Sequence, residues 1–199
     1  MTYEEIAKKI IDLKNADLAL RDKLVQSHQL HDGYNQEMAE LHIRNAKILN
    51  EIIDTIGYPT SDKIGKEASQ AAWLIIQHSI GQPDFMKNCV KLLEVAVNEN
   101  NADSIYLAYL IDRVEVFDGK PQLYGTQFDW DETGELSPND FDDLKKVNQR
   151  RKSIGLNTLE EQTKIIREQA KNENQTPPIN FKKRKEEIEQ WKKTVGWSN

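Results

Sequence analysis

Cysteine is almost absent: Cys89 stands alone among 199 residues, which excludes an internal disulfide. Its neighbours Phe85, Val90, Leu92 and Leu93 mark it as a small buried hydrophobe, because a reactive thiol needs an accessible, electropositive setting. Positive charge is also short. The 27 Lys and Arg against 33 Asp and Glu leave a net charge of -6 and a pI near 5.3. That balance argues against general nucleic-acid or membrane-surface binding, both of which need clustered cations. No apolar run approaches the roughly 20 residues of a membrane span. Met1 to Leu24 carries charges every few residues and lacks the apolar core and cleavage site of a secretion signal. A soluble cytoplasmic protein is the expectation. There is no complete nucleotide-binding loop, zinc signature or catalytic triad, and no internal repeat, so no cofactor is indicated.

What the chain does have is helical periodicity. Ile6, Ile10, Leu13, Leu20 and Leu24, interrupted by Asp17, predict one amphipathic helix, and Tyr34, Met38, Leu41, Ile48 and Ile52 a second, with Gly33 between or within them. Gly57-Tyr58-Pro59 closes the second. Ser69 to Ile80, nearly continuous in apolar residues through Ala71-Ala72-Trp73-Leu74-Ile75-Ile76, reads as a central buried helix. Pro83 opens another helix through Val97, and a fifth begins near Ala102-Asp103 and runs to Asp112-Arg113. Val114 and Val116 before Asp118-Gly119 look like a strand entering a turn, with Gln122 to Trp130 returning antiparallel and Glu132-Thr133-Gly134 able to start another turn. Phe141 to Ser153 and Thr158 to Ala170 are read as helices, Thr158 and Glu161 forming a capping box. The fold class is therefore mainly α: a single helical domain over residues 1–171 with a small β-hairpin after the fifth helix. A polar, double-proline linker and a charged helical tail occupy 172–199, docked through Phe181, Ile188 and Trp191.

The run Gln122-Leu123-Tyr124-Gly125-Thr126-Gln127 concentrates polar and aromatic groups where the helical chain changes direction. His78 follows Gln77 at the end of the central helix, where a buried imidazole and amide must find hydrogen-bond partners. Asp112, Arg113, Gln122, Tyr124 and Gln127 are the candidates if the hairpin folds back, either as a structural network or as a ligand site. His28, His31 and His42 would share a face of one continuous helix, yet His31 and His42 would lie about 16 Å apart, too far for one metal. No metal ligands are assigned. Asp129, Asp131, Thr133, Gly134 and Asp140 approach a calcium-loop spacing, but Pro138 interrupts it and a solvated turn is the stronger reading. Phe128 to Asp143 holds seven acidic residues and no basic one, opposite in sign to Lys182-Lys183-Arg184-Lys185; the two runs either simply face solvent or dock tail on hairpin, exposed ion pairs contributing only about 0–1 kcal/mol each.

The segments Ala72-Trp73-Leu74-Ile75-Ile76-Gln77-His78, Leu107-Ala108-Tyr109-Leu110-Ile111-Asp112-Arg113-Val114 and Gly119-Lys120-Pro121-Gln122-Leu123-Tyr124-Gly125-Thr126-Gln127 resemble an uncharacterised bacterial family known only as a domain of unknown function. The resemblance covers about residues 40–165. It implies recurrent polar positions at Asn45, Gln77, His78, Asp84, Asp112, Arg113, Gln122, Tyr124 and Gln127, and it brings no reaction or cofactor. Tyr58 stands where the resemblance leads to tryptophan, and His42 where it leads to an acid.

Two functions compete. One is a small anionic ligand site between the central helix and the hairpin, lined by Gln77, Arg113, Gln122, Tyr124 and Gln127. His78 and Asp112 are its catalytic candidates, and hydrolysis through water is its least demanding reaction. The other is a protein-interaction or immunity-like regulatory module using the acidic hairpin and the tail with Trp191 and Trp197.

Overall fold

The computed structural model describes residues 1–27, 29 and 34–197. The chain forms two compact units, Met1–Asp103 and Ser104–Asn199. The described residues are mainly helical with one small hairpin, as the periodicity predicts.

Among its described residues the first unit forms only helices: α1 (Tyr3–Gln26), α2 (Gln36–Ile56), the single turn α3 (Ser61–Ile64), α4 (Lys66–His78) and α5 (Pro83–Asn98). Thr2 and Glu5 close a capping box at the start of α1, and the Asn35 side chain accepts from Met38 N at the start of α2. Helices α1, α2 and α4 pack on one another pairwise. Their apolar stripes supply the core: Ile6, Ile10 and Leu24 from α1, Met38, Leu49, Ile52 and Ile53 from α2, Ile75 and Ile76 from α4. Ala68, Ala71 and Ala72 are buried on α4, and side chains this small let helix axes approach closely. Asn45, also buried, donates to the Leu13 carbonyl at 3.3 Å and ties α2 to α1 one turn before Asp17. Cys89 is fully buried, and burial pushes its thiol up to about 12, as expected of a core position.

The second unit begins with α6 (Ser104–Phe117), followed by β1 (Phe128–Trp130), β2 (Leu136–Pro138), α7 (Leu144–Ser153), α8 (Leu159–Asn172) and α9 (Phe181–Val195). β1 and β2 pair antiparallel with Asp129 opposite Ser137. Two details differ from the sequence reading. Val114 and Val116 are helical, and Asp118-Gly119 is a helix stop: Gly119 takes φ +71°, its N–H donates to Val116 O at 3.2 Å, and Lys120 N–H donates to Glu115 O at 2.8 Å. That pair of bonds is a Schellman closure. An apolar run with no breaker before Gly119 continued the helix, and its local alternation imitated a strand. The hairpin accordingly forms further on, at 128–138, while Gln122 makes only an isolated bridge to Phe141.

The tail helix docks within this unit. Trp191 meets Phe117 edge-on at 5.9 Å, Trp197 stacks on the same ring at 5.2 Å, and Arg184 reaches Asp129 at 2.9 Å. The basic run thus supplies one ion pair to the acidic hairpin. Thr158 and Glu161 form the expected capping box of α8.

Gly125 has φ +63°, and a Cβ there would lie 2.7 Å from Cδ1 of Leu159, itself 2% exposed. Gly125→Ala should therefore destabilise by about 2–4 kcal/mol, combining left-handed strain with overpacking. Gly119→Ala, with open space around it, should cost only the strain, about 1–2 kcal/mol. Urea unfolding of both variants checks the difference.

Candidate functional site

Three ionisable side chains meet inside the first unit, one from each of its mutually packed helices. Asp17 lies in the buried stripe of α1 at 1% exposure, His42 faces inward from the second turn of α2, and His78 is the last residue of α4. Asp17 is the shared partner. His78 Nδ1 lies 3.1 Å from Asp17 Oδ1 and 3.0 Å from Oδ2, and since a carboxylate only accepts, Nδ1 carries the proton and donates. His42 Nε2 lies 3.1 Å from Asp17 Oδ2, within ion-pairing distance. Apart from that carboxylate, this buried nitrogen has no hydrogen-bond partner among the described residues. The other ring nitrogen of His42 is 2.5 Å from the Tyr34 hydroxyl, and the Tyr34 ring stacks on His42 at 5.7 Å. The two imidazoles lie 5.3 Å apart, centre to centre.

Burial alone would raise Asp17, but its interactions with His42 and His78 outweigh that and hold its carboxyl well below the usual range. Burial, then the nearby Asp17 charge, keep the Tyr34 phenol protonated far above its ordinary range. The centre is closed on the Asp17 and His42 side, at 1% and 8% side-chain exposure, and open at His78, at 25%. One ligand atom from each residue lies within 4.8 Å of the others, so the group is of a size to hold a metal ion.

The residues singled out in the sequence divide between the two units. Gln77 and His78 end α4; Asp112 and Arg113 lie in α6, and Gln122, Tyr124 and Gln127 in the loop after it. In the second unit this polar set organises the loop itself. Asp112, fully buried, accepts from the backbone N–H groups of Leu123 (2.7 Å), Tyr124 (3.0 Å) and Thr126 (2.9 Å). Burial raises the Asp112 carboxyl against the pull of those donors. Gln122, also fully buried, donates to Gln127 O and Asn139 O and accepts from Gln127 N. Arg151, 2% exposed, donates to Tyr124 O at 2.8 Å and to both oxygens of Asn157. Burial brings Arg113 down to about 10.

Asp131, the centre of the calcium-like spacing, is occupied by its own turn, accepting from Thr133, Glu135 and Ser137. His28 and His31 lie outside the described residues. The sequence reading missed Asp17 altogether, treating it as a break in the α1 stripe, and separated His42 from His78.

The chain belongs to the family of unknown function DUF6624, whose model matches residues 4–172. That span includes Asp17, His42 and His78 and ends with α8. No curated protein and no solved structure matches the chain.

Two stability tests follow. Asp112→Ala would leave three half-buried backbone donors without their fully buried acceptor and should cost about 3 kcal/mol in urea unfolding. Because the folded-state pKa of Asp17 is depressed, its contribution is fully present above the ordinary carboxylate pKa of about 3.9 and is lost as pH falls through the depressed value. Melting curves should therefore show a steeper acid loss below about pH 4 in the wild type than in Asp17→Asn.

Proposed function

We propose that this member of the family binds a small ligand at the Asp17–His42–His78 centre and that hydrolysis through bound water is the reaction class the centre suits. The observation that carries this reading is a fully buried carboxylate held between imidazoles from two other helices, with one imidazole edge open to solvent. Collecting ionisable groups in a helical core costs several kcal/mol per desolvated ion unless the pairing is excellent. Such perturbed, partly accessible clusters concentrate at working sites. Tyr34 adds a hydroxyl beside His42 that can donate or accept according to the tautomer of the ring, and the opening at His78 gives a ligand its approach.

The loop 122–127 lies in the other unit and bears on a second reading instead. Asp112 and Gln122 direct their hydrogen bonds to its backbone, so an anion held by Arg113, Tyr124 or Gln127 remains the second reading, favoured by the rigidity of that loop. The interaction-module reading draws less support, because Trp191 and Trp197 both pack on Phe117. No helix among the described residues is long and apolar enough to cross a membrane. A cytoplasmic setting belongs to the proposal, consistent with a lone buried cysteine.

Thermal melting of wild type, His78→Ala and Arg113→Ala against nucleotides, sugar phosphates and small carboxylates tests it, since a ligand that binds the native state raises its melting temperature. The expected result is a ligand class that shifts wild type and Arg113→Ala but not His78→Ala. A shift abolished by Arg113→Ala and retained by His78→Ala would move the site to the second unit.

A further inference from the structure

We propose that Asp17, His42 Nε2 and His78 Nδ1 bind one divalent transition-metal ion of the zinc class, an inference that rests on reading this centre as the working site. The donor set is two imidazoles and one carboxylate, delivered by α1, α2 and α4. Three protein ligands with an open position are the arrangement of metal sites that act on a substrate, whereas purely structural sites fill all four. Here the open side is at His78, the most exposed of the three.

The spacing fits. Metal–nitrogen and metal–oxygen bonds of about 2.0–2.2 Å place neighbouring ligand atoms about 3–3.5 Å apart, and Asp17 Oδ2 lies 3.1 Å from His42 Nε2 and 3.0 Å from His78 Nδ1. Calcium and magnesium favour all-oxygen cages, so two nitrogens direct the choice to zinc, cobalt, nickel, copper or iron.

An independent observation points the same way. His42 Nε2 is buried with the Asp17 carboxylate as its one neighbour at hydrogen-bonding distance among the described residues, so a cation between the two would give the ring nitrogen a partner for its lone pair. Its other nitrogen is held by Tyr34 at 2.5 Å. Metal-bound histidines are commonly oriented in this way by a partner on the opposite ring nitrogen. With a metal on Nε2, the His42 proton sits on Nδ1 and is donated to the Tyr34 oxygen. On His78 the Nδ1 proton must leave, either to Nε2 at the open edge or to solvent, so that the lone pair faces the ion. The site also lies at the C-terminal end of α4, where the helix dipole favours positive charge.

The test uses the full chain, freed of metal by chelation and titrated with Co²⁺ alone and Zn²⁺ alone. Calorimetry should give one equivalent bound, Co²⁺ should develop visible absorption bands displaced by Zn²⁺, and Zn²⁺ should raise the wild-type melting temperature. His78→Ala, at a partly exposed helix end, and His42→Gln should each weaken binding at least 100-fold. Tyr34→Phe should weaken it about 10-fold or more, as loss of an orienting partner does. Failure of the wild type to bind either ion stoichiometrically overturns the metal site, as does binding that His42→Gln and His78→Ala leave unchanged. If small-ligand shifts that need His78 persist in metal-free protein while no ion binds, the metal inference fails and the ligand site stands. If both are absent, both fail.

Discussion

A single buried carboxylate governs the first unit. Asp17 takes a place on α1 that packing would give to leucine, and an ion there is tolerated only with partners within reach. Those partners come from α2 and α4, so the charge of one side chain specifies the rotation of three helices about their axes. A shift of α2 by one residue would swing its ring about 100° away, stranding the carboxylate without His42. Hydrophobic burial holds the bundle together; Asp17 selects which packing of it is acceptable.

The second unit repeats the principle with backbone in place of imidazole. Asp112 gathers three N–H groups of a loop that has little regular structure, Gln122 holds it from inside, and Arg151 secures its carbonyls. Gly125 completes the arrangement by leaving room for Leu159. The most conspicuous polar run of the sequence is thus, in the structure, a loop fixed by its own side chains. Polar residues are concentrated there because an irregular segment lacks a ladder to satisfy its backbone.

The helices and the hairpin were legible because apolar spacing and caps are local properties. Thr158 with Glu161 and Pro83 at a helix start are visible within four residues. The error at Val114 and Val116 had a local cause as well, since a short apolar alternation suits a strand and a buried helix equally. The candidate centre was only half legible. His78 drew notice through its position after the central helix, but its partner lies 61 residues away, and no spacing rule reaches that far. The signal available was Asp17 itself. Ile6, Ile10, Leu13, Asp17, Leu20 and Leu24 alternate steps of four and three, so the aspartate continues the apolar seam rather than interrupting it. A charged residue in such a place announces a distant counterpart without naming it.

That separation has a consequence for how the molecule comes into being. On a nascent chain α1 emerges first and α2 next, and together they can offer Asp17 only one ring. Completion waits for α4, whose final residue closes the cluster, so the first unit acquires its centre only when α4 docks and not gradually. A truncated or stalled chain ending before His78 would carry an incompletely neutralised core charge that favours reopening of the helix pair. Quality control by partial unfolding and proteolysis would therefore discriminate against the same molecules that lack a finished site.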